Sequence, residues 1–122
     1  PNYKLDIEKM KECAKIFLGI HNFKNFTSGE RKNYECIIYD IEFNKHDNIL
    51  EIKFIGKSFY RYMVKNLVGA MLDVSNKKAT LDDIKEALEH PEIKRQFKTA
   101  IPNGLYLAKI EYEDSIWKNK IL

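Results

Sequence analysis

Apolar residues recur at helical spacing near the start of the chain, at Ile7, Met10, Ala14, Phe17 and Leu18, behind Asp6 as a capping residue and ahead of Gly19 as a stop. The stretch "HNFKNF" reads as an aromatic-rich loop and "TSGERKN" as a polar turn. From Tyr34 to Phe43, Ile37, Tyr39, Ile41 and Phe43 alternate with Ile38, Asp40 and Glu42, the pattern of a half-buried strand. The five residues "NKHDN" then form a hairpin loop into a second strand, Ile49 to Ile55, so these two strands are expected to pair antiparallel.

A second helix is expected over residues 59–74, with Ser58 as its N-cap. Phe59, Met63, Leu67, Ala70 and Met71 gather on its core side, while Arg61, Tyr62, Lys65 and Gly69 occupy the other. A third helix begins at the box Thr80-Leu81-Asp82-Asp83 and stops near His90-Pro91, burying Leu81, Ile84 and Leu88. The closing strand, "GLYLAKIEY", puts Leu105 and Leu107 on one face and Tyr106, Ala108, Ile110 and Tyr112 on the other. The order α-β-β-α-α-β describes one α+β domain over residues 1–122, an antiparallel sheet of three strands backed by helices.

The net charge of +3 is too mild to announce a partner, and no apolar run approaches the roughly 20 residues that span a bilayer. A soluble cytoplasmic protein without membrane association is expected. Cys13 and Cys36 lack metal or redox spacing and are expected as buried free thiols; His21, His46 and His90 are scattered, so no metal site is expected. Phosphate loops, nucleophile elbows and paired catalytic carboxylates are absent, and Asp82-Asp83 fit a helix start. The suggestive chemistry is a basic and aromatic surface: Lys57, Arg61 and Lys65 with Tyr62, and His21, Phe23 and Phe26 as stacking groups. Cations interleaved with rings suit RNA, whose phosphates need neutralising and whose unstacked bases lie on rings. Ordinary alternatives stand beside this: a solvated helix face for the cations, core plugs under a loop for Phe23 and Phe26, and a turn glycine at Gly104.

Four segments together resemble the C-terminal half of the A-type tRNA pseudouridine synthases, the TruA family. "FLGIHNFKNF" is similar to the family's F-x-G-x-H-D-F-x-x-F, and "GKSFYRYMVKNLVGAM" to its G-x-x-F-L-x-x-M-V-R-N-x-V-G helix. "LDDIKEALE" matches the helix that follows, and "TAIPNGLYLAKIEY" the closing T-A-x-P-x-G-L-Y-L-x-x-V-x-Y. The resemblance covers about residues 5 to 112 and implies the pseudouridine synthase fold.

By this resemblance Lys65 stands at the family's basic position, normally Arg, which reaches the cleft and pairs with the catalytic aspartate. Leu105 matches a residue beside the target base, and Asn66 supports the helix that presents Lys65. Lys57, Arg61, Tyr62, Asn66, His21 and Phe23 are the expected RNA-binding residues. The implied reaction isomerises uridine to pseudouridine in the anticodon arm of tRNA, without metal or cofactor. The implied aspartate belongs to a G-R-T-D-x-G-V-H-type loop that this sequence lacks. The chain is therefore expected to be a C-terminal domain, inactive alone, that works with the N-terminal domain of the same enzyme in a homodimer. A non-catalytic RNA-binding module and a structural or dimerisation domain are the rival readings.

Overall fold

The computed structural model describes residues 5–60, 62–97 and 99–111. Helix α1 (Ile7–Phe17) is followed by strand β1 (Gly19–Asn22), a short 3-10 turn (Lys24–Phe26) and the strands β2 (Glu35–His46) and β3 (Ile49–Lys57). Helices α2 (Met63–Ser75) and α3 (Leu81–Glu89) precede β4 (Leu105–Glu111). The sheet order is β1-β2-β3-β4. The α+β class and the helix-backed sheet are as expected from the sequence.

Local rules account for the helices. The Asp6 carboxylate accepts from the Lys9 N–H at 3.1 Å, and the Asp6 N–H donates to Ser75 Oγ at 2.8 Å, tying the start of α1 to the end of α2. Met10, Cys13, Ala14 and Phe17 form its buried stripe. At α3 the box closes in both directions, Asp83 N–H to Thr80 Oγ1 at 3.1 Å and Thr80 N–H to Asp83 Oδ2 at 2.8 Å.

The sheet differs from expectation in three ways. First, it has four strands among the described residues: Gly19 to Asn22, where the sequence suggests a helix stop and the start of a loop, pair antiparallel with Ile38 to Glu35. Four residues carrying a glycine, a histidine and an asparagine offer too little apolar alternation to reveal a strand. Second, the register shifts between Ile38 and Asp40, so Tyr39 is an extra residue in β2. Cys36 and Ile38 face the core before the bulge and Ile41 and Phe43 pack against it after, a change of parity that no strict alternation contains. Third, β4 runs parallel to β3, Leu50 opposite Leu105 through Gly56 opposite Glu111, so the sheet is mixed. Parallel neighbours need a long crossover, and α2 and α3 supply it.

Leu50, Ile52 and Phe54 share their face with Leu105 and Leu107, against the helices. The opposite face is mixed: Lys53 pairs with Glu42 at 3.9 Å and Asn44 Nδ2 donates to Glu51 at 3.4 Å, while Ile55, buried, stands beside Ile110. Tyr106 lies exposed on that face, and Tyr112 falls outside the described residues. The β2–β3 turn is shorter than expected, with only Asp47 and Asn48 between the paired His46 and Ile49. Cys13 and Cys36 are buried free thiols.

Candidate nucleic-acid interface

Helix α2 starts four residues later than the sequence pattern suggests. Ser58 and Tyr62 both hold left-handed backbone, with φ of 67° and 58°, and Tyr62 is the N-cap, so Phe59 and Tyr60 are not helical. Packing overrides periodicity here. Phe59 and Tyr60 lie against the core, and the Tyr60 hydroxyl donates to the Glu35 carbonyl at 2.7 Å. The first helical bond runs from the Asn66 N–H to the Tyr62 carbonyl at 2.9 Å. Lys65 therefore sits in the first turn of α2 and is exposed, while Met63, Leu67, Ala70 and Met71 behind it are fully buried. Arg61 falls outside the described residues.

The side of α2 that holds Lys65 is only partly open. Gly69, expected on the same outer face, is buried, with the Phe97 and Thr99 carbonyl oxygens beside it. A Cβ at Gly69 would stand 3.4 Å from the Thr99 carbonyl oxygen and 3.6 Å from that of Phe97, ordinary van der Waals contact. Asn25 ties the strap of chain that leaves α3, donating to the carbonyls of Ala87 in α3 and Ile93 beyond it and accepting from the Arg95 N–H, at 3.0, 3.1 and 3.1 Å. The strap leads to Gly104, whose φ of 90° and 2.8 Å bond from the Leu50 N–H set Leu105 at the start of β4. Leu105 is half-buried there.

Asn66 faces a polar hollow of about 170 Å³ lined with Asn25, Thr27, Ser28, Gln96 and Phe97, and its Nδ2 donates to the Phe26 carbonyl at 3.1 Å. His21 and Lys57 share one end of the sheet, on either side of Cys36: His21 is the register partner of Cys36, whose thiol donates to the Lys57 carbonyl at 3.1 Å. The His21 Nε2–H donates to the Leu18 carbonyl at 2.7 Å, which fixes the ring. Lys57 lines a cleft of about 330 Å³ with Ile20, Asn33, Glu35 and Ser58.

Phe23 and Phe26 require correction as stacking groups. Both are fully buried; Phe23 meets His21 edge to face at 5.7 Å and Phe26 stacks on Phe97 at 5.5 Å. Their rings are core plugs, and Phe23 acts only as the support behind His21. The sequence reading missed Lys24, Arg31, Tyr34 and Tyr60, which meet on the surface; the run Arg31-Lys32-Asn33-Tyr34 was the available signal. Among the described residues no three His, Cys, Asp or Glu side chains gather as a metal site, and no helix is long and apolar enough to cross a membrane.

Comparison with known proteins adds a family to this geometry. Residues 13–113 match the family model described as tRNA pseudouridine synthase. A protein of Geobacillus sp. (strain WCH70) named tRNA pseudouridine synthase A is 38% identical over 116 residues, covering 92% of this chain and 46% of its own length. One of the same name from Listeria innocua is 40% identical over 115 residues, with coverage of 91% and 46%. Another, from Methanosphaera stadtmanae, is 35% identical over 118 residues. The chain thus spans about half the length of the curated relatives it matches.

Proposed function

The chain belongs to the tRNA pseudouridine synthase family, and from that premise we propose that it serves as the C-terminal half of an enzyme that isomerises uridine in the anticodon arm of tRNA. The observation that carries the reading is Lys65, an exposed cation on the first turn of a helix whose opposite face is fully buried. Such a helix fixes the backbone that carries the ammonium while its buried face serves the core.

The reaction breaks the bond between ribose C1′ and uracil N1, turns the base and joins C1′ to C5; the C5 hydrogen leaves as a proton and N1 gains one. No redox partner is required for that balance. The catalytic aspartate comes from the other half, and Lys65 pairs with it, favouring and orienting the ionised carboxylate. Leu105, set by the strap and by Gly104, packs beside the extruded base, which must leave its stack to react. Lys57, Arg61, Tyr62, Asn66 and His21 contact the RNA, with Phe23 holding His21 in place. The N-terminal half, a second copy of the whole enzyme and a cytoplasmic setting complete the proposal.

Tritium release from tRNA carrying 5-tritiated uridine tests it. The chain alone is expected to release none, and the full-length enzyme that carries it to release tritium under the same conditions. Release by residues 1–122 alone, or none from the full-length enzyme, would overturn the proposal.

A further inference from the structure

Beside the residues assigned above, one end of the sheet carries a lattice of alternating rings and cations. Tyr34 and Tyr60 meet edge to face with centroids 6.1 Å apart. Arg31 Cζ stands 4.7 Å from the centre of the Tyr60 ring, and Lys24 Nζ 5.9 Å from that of Tyr34. The rings are half-buried and the cations exposed.

Backbone bonds hold the lattice in place. The Tyr34 hydroxyl donates to the Gly29 carbonyl at 3.2 Å and accepts from the Arg31 N–H at 2.9 Å, pinning the loop that bears Arg31. The Tyr60 hydroxyl is tied to the Glu35 carbonyl. A seated guanidinium keeps its in-plane donors available, the geometry that suits phosphate oxygens.

Position adds a second argument. Glu35, which anchors Tyr60, also lines the cleft that holds Lys57, and Tyr60 lies just ahead of Tyr62 and Lys65 in the chain. The lattice therefore borders the cleft that Lys57 lines. Glu30 and Glu35 lower the charge of the same region, so attraction comes from local contacts and not from a broad positive field.

We infer that Arg31 and Lys24, seated on Tyr60 and Tyr34, bind backbone phosphates of the RNA outside the nucleotide being modified. The inference rests on the reading of the chain as part of an RNA-modifying enzyme. Such contacts set affinity and register without reading bases.

The test compares the double variant Lys24→Gln, Arg31→Gln with wild type in the full-length enzyme, using an unmodified tRNA transcript across a salt series. The slope of log affinity against log salt should fall by about one for each cation removed, with Kd raised about tenfold at low salt. The turnover at saturating RNA should stay within about twofold, since these contacts precede chemistry. Tyr60→Phe keeps the ring and should keep the wild-type slope. An unchanged slope and Kd in the double variant would overturn the inference. Loss of the slope in a protein whose wild type releases no tritium would sink the synthase reading and leave the phosphate contact standing.

Discussion

The hydroxyl of Thr99 donates to the carboxylate of Asp73, a residue 7% exposed on the inner part of α2. This latch ties the strap that carries the chain from α3 to Leu105 back to α2, so Lys65 and Leu105 are positioned from the same helix. Thr99→Val keeps the shape and removes the donor. It is expected to cost about 1–3 kcal/mol, the penalty of an unsatisfied buried acceptor, read by chemical denaturation. Asp73→Asn keeps an acceptor oxygen and should cost less.

The Asp83 carboxyl lies below its usual range, held first by the bond from the Thr80 N–H, then by the Thr80 hydroxyl and the Arg95 charge 3.6 Å away, with burial opposing. A depressed folded value means that the stabilisation is present above the unfolded value of 3.8 and is lost as pH falls through the folded one. Asp83→Asn, which keeps the size and removes the charge, should therefore destabilise at neutral pH, and by less under acid. Denaturation curves at the two pH values check the difference.

Burial pushes the Cys13 thiol up to about 12, and burial reinforced by the Glu111 charge pushes Cys36 up to about 12. Both thiols stay protonated in the fold while the unfolded chain ionises near 9, so their contribution is complete below 9 and is lost as pH rises toward 12. Stability should decline across that window, by at most about 1.4 kcal/mol per pH unit per thiol. A thiol reagent should label neither cysteine at neutral pH until the chain unfolds; rapid labelling of Cys36 in the native protein would contradict its burial.

What the sequence revealed follows the range of the forces involved. The cap at Asp6, the box at Thr80 and the stripes of α1 and α3 are local, and they were legible. The start of α2 was not, because Tyr60 bonds to Glu35 and a residue's helical period says nothing of a partner 25 positions away. The bulge at Tyr39 hid the true parity of β2, and strand alternation carries no direction, so the parallel pairing of β4 was not read even though the two helices expected ahead of it supply the crossover. At the candidate site Lys65 was legible as a charge in an apolar segment. Phe23 could be read as a stacking group or as a core plug because an aromatic loop looks the same whether its rings point in or out, and its burial decides for the plug; Thr99 with Asp73 joins residues 26 positions apart.

The central claim is that α2 presents Lys65 to the reacting nucleotide, and the single-turnover rate of uridine isomerisation by Lys65 variants of the full-length enzyme tests it most directly. Lys65 is exposed, so Lys65→Met should change folding stability by no more than about 1 kcal/mol. The rate should nevertheless fall by about a hundredfold or more, as expected when a charge partner of the reacting centre is lost, while Lys65→Arg retains most of it. A Met variant that isomerises uridine at close to the wild-type rate would contradict the account and leave Lys65 as an ordinary solvated residue on an amphipathic helix.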